Sequence, residues 1–148
     1  MRERQLETTR RARQRSETVT VVAVHDQRVF RRVACDVVAA TSGFETVGEA
    51  ESGEEALRLV AELAPALVLL DLRMPGMDGV ETAHQIAKTC PDAVIVLITI
   101  EDPETLPPSV ASCGAVAVAR KQDFAPRLLR RLWETHGPAD HSRPPAVD

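Results

Sequence analysis

Residues 67–81 read LVLLDLRMPGMDGVE, and the fold class can be read outward from this stretch. Ala66 to Leu70 is a short all-apolar run that stops at a carboxylate, Asp71. A strand with no polar alternation is buried on both faces, which is the habit of strands in parallel sheets. Pro75 fixes one backbone dihedral and Gly79 permits a left-handed one, so both are expected to shape the turn that follows. From Gly79 to Thr89 the period changes to helical, with Val80, Ala83, Ile86 and Ala87 on one side.

The same unit recurs on either side. Upstream, Val19 to Val24 (VTVVAV) is a β-branched strand, and Val29, Phe30, Val33, Ala34, Val37 and Val38 follow at helical spacing. Phe44 to Glu49 is a weaker second strand. Ser52-Gly-Glu-Glu55 has capping-box spacing, and Ala56, Leu57, Val60, Ala61 and Leu63 form the apolar face of the helix it opens. Downstream, Ala93 to Thr99 is a fourth strand, Glu104 to Cys113 a fourth helix interrupted by Pro107 and Pro108, Val116 to Ala119 a fifth strand, and Asp123 to Thr135 a fifth helix. Strand and helix alternating five times predict an α/β fold: a five-stranded parallel sheet with helices on both faces. In such a sheet, ligands bind at the C-terminal ends of the strands.

The 148 residues suffice for one domain with tails. The folded part is read as 18–136, preceded by an Arg-rich disordered arm (1–17) and followed by a proline-containing disordered tail (137–148). Aromatics are 3% of the chain, so the core must be built from Val, Leu, Ile and Ala. A net charge of −4 argues against direct DNA binding. No apolar run approaches the roughly 20 residues that cross a bilayer. Cys35, Cys90 and Cys113 are odd in number and lack metal-site spacing, which reads as reduced thiols in a cytoplasmic protein.

After the first strand stand His25 and Asp26; after the third, Asp71; after the fourth, Thr99; after the fifth, Arg120 and Lys121. One rim thus collects two carboxylates, a hydroxyl and an ammonium. Two close carboxylates repel, and a hard cation such as Mg²⁺ relieves that repulsion while keeping waters that phosphoryl oxygens can replace. Lysine and hydroxyl then add a point charge and a hydrogen bond for a phosphoryl group.

LVLLDLRMPGMDGVE resembles, nearly residue for residue, the phosphorylation-site segment of two-component response-regulator receiver domains. GFETVGEAESGEEAL (43–57) is similar to the second strand and helix of those receivers. The resemblance runs from Val19 to about Trp133 and implies the (βα)5 flavodoxin-like receiver fold. It implies Asp71 as phospho-acceptor, Asp26 and Asp71 as Mg²⁺ ligands with the Arg73 backbone carbonyl, Thr99 as switch hydroxyl and Lys121 as the pocket lysine. It further implies a histidine kinase or phosphotransfer protein as donor, a downstream protein partner, and no enzymatic activity beyond phosphorylation and dephosphorylation of Asp71 itself. It also admits a homodimer. The residues after His136 leave no room for a helix-turn-helix reader, so a stand-alone receiver signalling through protein contacts is expected.

Several positions depart from the pattern. His25 replaces the first of an acidic pair, either hydrogen-bonding a neighbour and weakening the metal or, if protonated, neutralising Asp71 itself. Ile100 is bulky where a small residue is usual, and Val118 stands in place of an aromatic. Pro107 and Pro108 either shorten the fourth helix or sit in its first turn. These departures favour the alternative of a pseudo-receiver, a phosphate-independent binding module. A hydrolase using Asp71 is disfavoured, because such enzymes place a second aspartate where Arg73 stands.

Overall fold

The computed structural model describes residues 18–138. The arm and most of the tail lie outside the described residues. Strands β1 (Val19–Val24), β2 (Phe44–Ala50), β3 (Leu67–Asp71), β4 (Val94–Thr99) and β5 (Ala117–Arg120) form one sheet in the order β2-β1-β3-β4-β5, every pair parallel. Helices α1 (Arg28–Ala39), α2 (Gly53–Leu63), α3 (Gly79–Thr89), α4 (Pro108–Ala111) and α5 (Pro126–His136) cover both faces. Strand order reverses direction at β1 and β3, so the crevice between their C-terminal ends is the switch point where α/β sheets bind ligands.

Alternation along the central strands divides the core. Val22, Val24, Val68, Leu70, Ile95 and Leu97 point to one face and pack with Ala56 and Val60 of α2, Ala83 and Ile86 of α3, and Val110 of α4. Val19, Val21, Leu67, Leu69, Val94, Val96 and Ile98 point to the other and pack with Val38 of α1 and Leu129 of α5. Successive strand side chains alternate faces, so a strand with a helix layer on each side must be apolar throughout. Trp133 joins the second cluster and meets the Phe44 ring edge-on at 6.3 Å.

Local chemistry sets the helix ends. The Ser52 hydroxyl accepts the Glu55 N–H at 3.1 Å, and an Asp78 carboxylate oxygen accepts the Glu81 N–H at 3.0 Å, each satisfying one of the amides that a helix start leaves free. α4 is a single turn with Pro107 before it and Pro108 at its first position. Both readings of the prolines therefore meet: they sit where proline is tolerated, and the helix is reduced to four residues. Pro103–Thr105, in the expected helix, forms a separate 3₁₀ turn.

Three expectations need correction. Gly79 is not left-handed; Gly76 is, with φ +76°. Gly79 is required instead by proximity, since a Cβ there would lie 2.5 Å from the Asp71 carbonyl oxygen. The apolar face of α1 is only partly inward: Val38 is buried, but Val29, Phe30 and Val33 are 72%, 42% and 51% exposed. α5 begins at Pro126 rather than Asp123, because Lys121–Asp123 forms a 3₁₀ turn before it.

Candidate functional site

The rim residues gather at one end of the sheet. Asp71 is the last residue of β3, one place later than the apolar run suggests, and lies 4% exposed. His25 and Asp26 follow β1, Thr99 ends β4, and Lys121 follows β5. A cleft of about 410 Å³ is lined by His25, Asp26, Asp71, Thr99 and Lys121, with Arg73, Ile100 and Glu101 at its side. Sequence reasoning placed the first five residues together, and the structure does so.

The contacts show how charge is arranged. Lys121 Nζ lies 3.4 Å from Asp71 Oδ1 and 2.8 Å from His25 Nε2. His25 Nε2 is 3.6 Å from Asp71 Oδ1, and its Nδ1 is 3.3 Å from Asp26 Oδ1. Burial pushes the Asp71 carboxyl up to about 6, against the pull of Lys121. Burial, then the charge of Lys121, lowers His25 to about 4. The imidazole is therefore neutral near pH 7, and the expectation that a protonated His25 neutralises Asp71 is corrected: Lys121 supplies that charge. The remaining reading of His25, as a hydrogen-bonding neighbour, agrees with its contacts.

His25, Asp26 and Asp71 each offer one ligand atom, all within 4.8 Å of one another. The two carboxylates meet the oxygen requirement of a Mg²⁺ ion that keeps most of its waters, so the donor set fits such an ion. Arg73 lines the same cleft.

Thr99 is buried, and its hydroxyl is already engaged. It accepts the Glu101 N–H at 3.0 Å and lies 3.3 Å from Glu101 Oε2. Arg73 grips that same carboxylate with two hydrogen bonds, at 2.9 and 3.1 Å. Glu101 was not anticipated from the sequence, although it stands two residues after Thr99 as Arg73 stands two after Asp71. Phe30, read from the sequence only as one of the apolar residues at helical spacing, stacks on His25 at 5.1 Å between centroids, with Lys121 Nζ 4.3 Å from its ring centre. Arg31 donates to the His25 carbonyl at 2.8 Å and pairs with Glu49, fixing the turn after β1. Ile100 is 67% exposed at the cleft mouth. Val118 lies on β5, half-buried against the α2/α3 core cluster.

Residues 21–132 match the protein family described as the response regulator receiver domain. The chain is 32% identical over 103 residues to the response regulator GacA of Pseudomonas viridiflava, covering 70% of this chain and 48% of that protein. It is 37% identical over 118 residues to the uncharacterized transcriptional regulatory protein YhcZ of Bacillus subtilis, covering 79% and 54%. The chain thus spans about half the length of these curated relatives. Among solved structures, it is similar to the signal receiver domain of the putative response regulator NarL from Mycobacterium tuberculosis, at 28% identity and a TM-score of 0.73, covering 80% of this chain and 96% of that one. Among the described residues, no helix is long and apolar enough to cross a membrane. With its parallel five-stranded sheet and its acidic cleft at the β1/β3 switch point, this chain belongs to the receiver domain family of two-component response regulators.

Proposed function

We propose that this receiver accepts a phosphoryl group on Asp71 and signals through protein contacts. The observation that carries the reading is a buried carboxylate at the end of the central strand β3, held 3.4 Å from a lysine ammonium that lines the same cleft. In its ionised form Asp71 is a carboxylate nucleophile. It attacks phosphorus, a carboxyl oxygen–phosphorus bond forms, and the donor group departs with the electron pair of the broken bond. The donor would be the phosphohistidine of a histidine kinase or phosphotransfer protein. Phosphoryl transfer needs chiefly positioning and neutralisation of charge. Lys121 supplies one positive charge, and a divalent cation such as Mg²⁺ held by Asp26, Asp71 and the Arg73 carbonyl would supply the rest.

The phosphorylated side chain gains about two negative charges and three acceptor oxygens. Thr99 can donate to one of them only by leaving Glu101 Oε2, whereas Lys121, with three donors and already 3.4 Å from Asp71 Oδ1, can turn one of its donors to another. Those exchanges would move the loops after β4 and β5, which is the change a downstream protein partner would read. We place the domain at residues 18–136 and the protein in the cytoplasm, where donors of this kind act.

Treatment with a small acyl phosphate and Mg²⁺, followed by intact-mass measurement, tests the proposal. The expected result is one added phosphoryl group in the wild type and none in Asp71→Asn. An unchanged wild-type mass would point to the phosphate-independent alternative.

A further inference from the structure

The cation cluster is not all oxygen. We propose that His25 is itself a metal ligand, and that His25, Asp26 and Asp71 form a one-nitrogen, two-oxygen site that prefers a first-row transition-metal dication to Mg²⁺. This rests on the cation-binding part of the proposed function, but it changes which ion the cleft selects.

The separations suit it. Donor atoms bound to one such ion at roughly 2.0–2.2 Å lie about 3–4 Å from each other. His25 Nε2 lies 3.6 Å from Asp71 Oδ1, and one ligand atom from each of the three residues falls within 4.8 Å of the others; the 3.3 Å contact with Asp26 is made by the opposite ring nitrogen, Nδ1. Asp26, the most exposed of the three at 28% of its side chain, is free to close the remaining gap by rotation.

The imidazole is also presented with more donors than it can accept. Gln27 N–H points at Nδ1 at 3.0 Å, while the Lys121 ammonium, which has only donors, faces Nε2 at 2.8 Å. A neutral ring carries one proton and one lone pair, so it cannot accept both. With the proton on Nδ1, facing Asp26, the Gln27 N–H loses its acceptor and the Nε2 lone pair faces Lys121 Nζ, which lies 2.8 Å from Nε2 and 3.4 Å from Asp71 Oδ1. That ammonium marks where this cleft places positive charge. An ion entering beside it would take the lone pair and release Lys121 toward an arriving phosphoryl group.

Chemistry then chooses the ion. Mg²⁺ takes oxygen ligands and is reluctant to lose water. Imidazole suits iron, nickel, copper and zinc, and the affinity of a nitrogen and oxygen site for first-row dications rises from manganese through cobalt and nickel to copper before falling at zinc.

Titration of the full chain with Co²⁺, read by its visible ligand-field bands, and with Mg²⁺, read by calorimetry, tests the assignment in wild type, His25→Asp and His25→Gln. Wild type is expected to bind Co²⁺ at least about ten-fold more tightly than Mg²⁺. His25→Asp is expected to lose that preference by about ten-fold or more, with Mg²⁺ binding tightened. His25→Gln is expected to weaken Co²⁺ while keeping the wild-type circular dichroism spectrum. An equal Co²⁺-to-Mg²⁺ ratio in wild type and His25→Asp overturns the inference, as does a wild type that binds no Co²⁺. Phosphorylation of Asp71 in Mg²⁺ with an unmoved ratio would sink this site and leave the acceptor reading standing. A ratio that tracks His25 with no phosphorylation in any metal would do the reverse.

Discussion

Replacing the acceptor by its neutral isostere, Asp71→Asn, should stabilise the protein, and the gain should depend on pH. Burial raises the Asp71 carboxyl from 3.8 to about 6 in the folded state. Between those values the folded chain holds a proton that the unfolded chain has released. Stability is therefore greatest below pH 3.8 and is lost as pH rises through about 6, after which it is flat. A shift of about two units corresponds to ~3 kcal/mol. Asparagine has no charged form to desolvate and escapes the whole effect. Without divalent cations, the variant should exceed wild type by about 1 kcal/mol near pH 4.5 and by about 3 kcal/mol near pH 7.5. For a domain of this size the larger value is roughly 12 °C in Tm. Urea or thermal unfolding at the two pH values, in a chelator, measures the gap. A ligand that binds only the folded state stabilises it, so adding the cation should narrow the gap by raising wild type alone. A gap that is the same at both pH values, or that favours wild type at the higher one, would refute the burial argument.

Three further outcomes follow from the geometry. Gly79→Ala drives a Cβ to 2.5 Å from the Asp71 carbonyl oxygen and 2.7 Å from Leu72 Cα; urea unfolding should show a loss of about 1–3 kcal/mol, because backbone and not a flexible side chain must give way. Ile100→Ala, at a site 67% exposed, should leave stability within about 0.5 kcal/mol while opening the cleft mouth and speeding loss of the phosphoryl group; an unchanged dephosphorylation rate would show that the Ile100 side chain does not hinder access to Asp71. In the absence of metal, the rate of Asp71 modification by an acyl phosphate should rise with pH through about 6 and then level, since only the ionised carboxyl is nucleophilic.

Much of this was legible in the residues because the fold is specified by patterns of period two and 3.6. LVLLD and VIVLIT cannot be half-exposed strands, and GVETAHQIAKT has one apolar side, so sheet, helices and the rim after each strand follow. Asp71, Asp26, Thr99 and Lys121 were found because strand ends in such a sheet converge. What escaped depends on distances between segments far apart in the chain. Phe30 has the hydrophobicity of a core residue, but it lies against His25 and Lys121, contacts with distant segments that periodicity does not encode. Glu101 reads as an ordinary loop acid until Arg73 is seen beside it. Gly79 and Gly76 are alike in sequence, and only their surroundings show that one is needed for close approach and the other for a positive φ. The neutrality of His25 likewise comes from its burial and from Lys121, a residue 96 positions away.

The central claim is that the carboxylate ending β3 is the group that takes the phosphoryl. Peptide-level mass mapping of the wild-type chain after acyl phosphate treatment tests it most directly. The modification should fall on the peptide containing Asp71 and be lost when that residue is Asn; a phosphoryl group mapped to any other residue, or the same yield from the Asn variant, would contradict it.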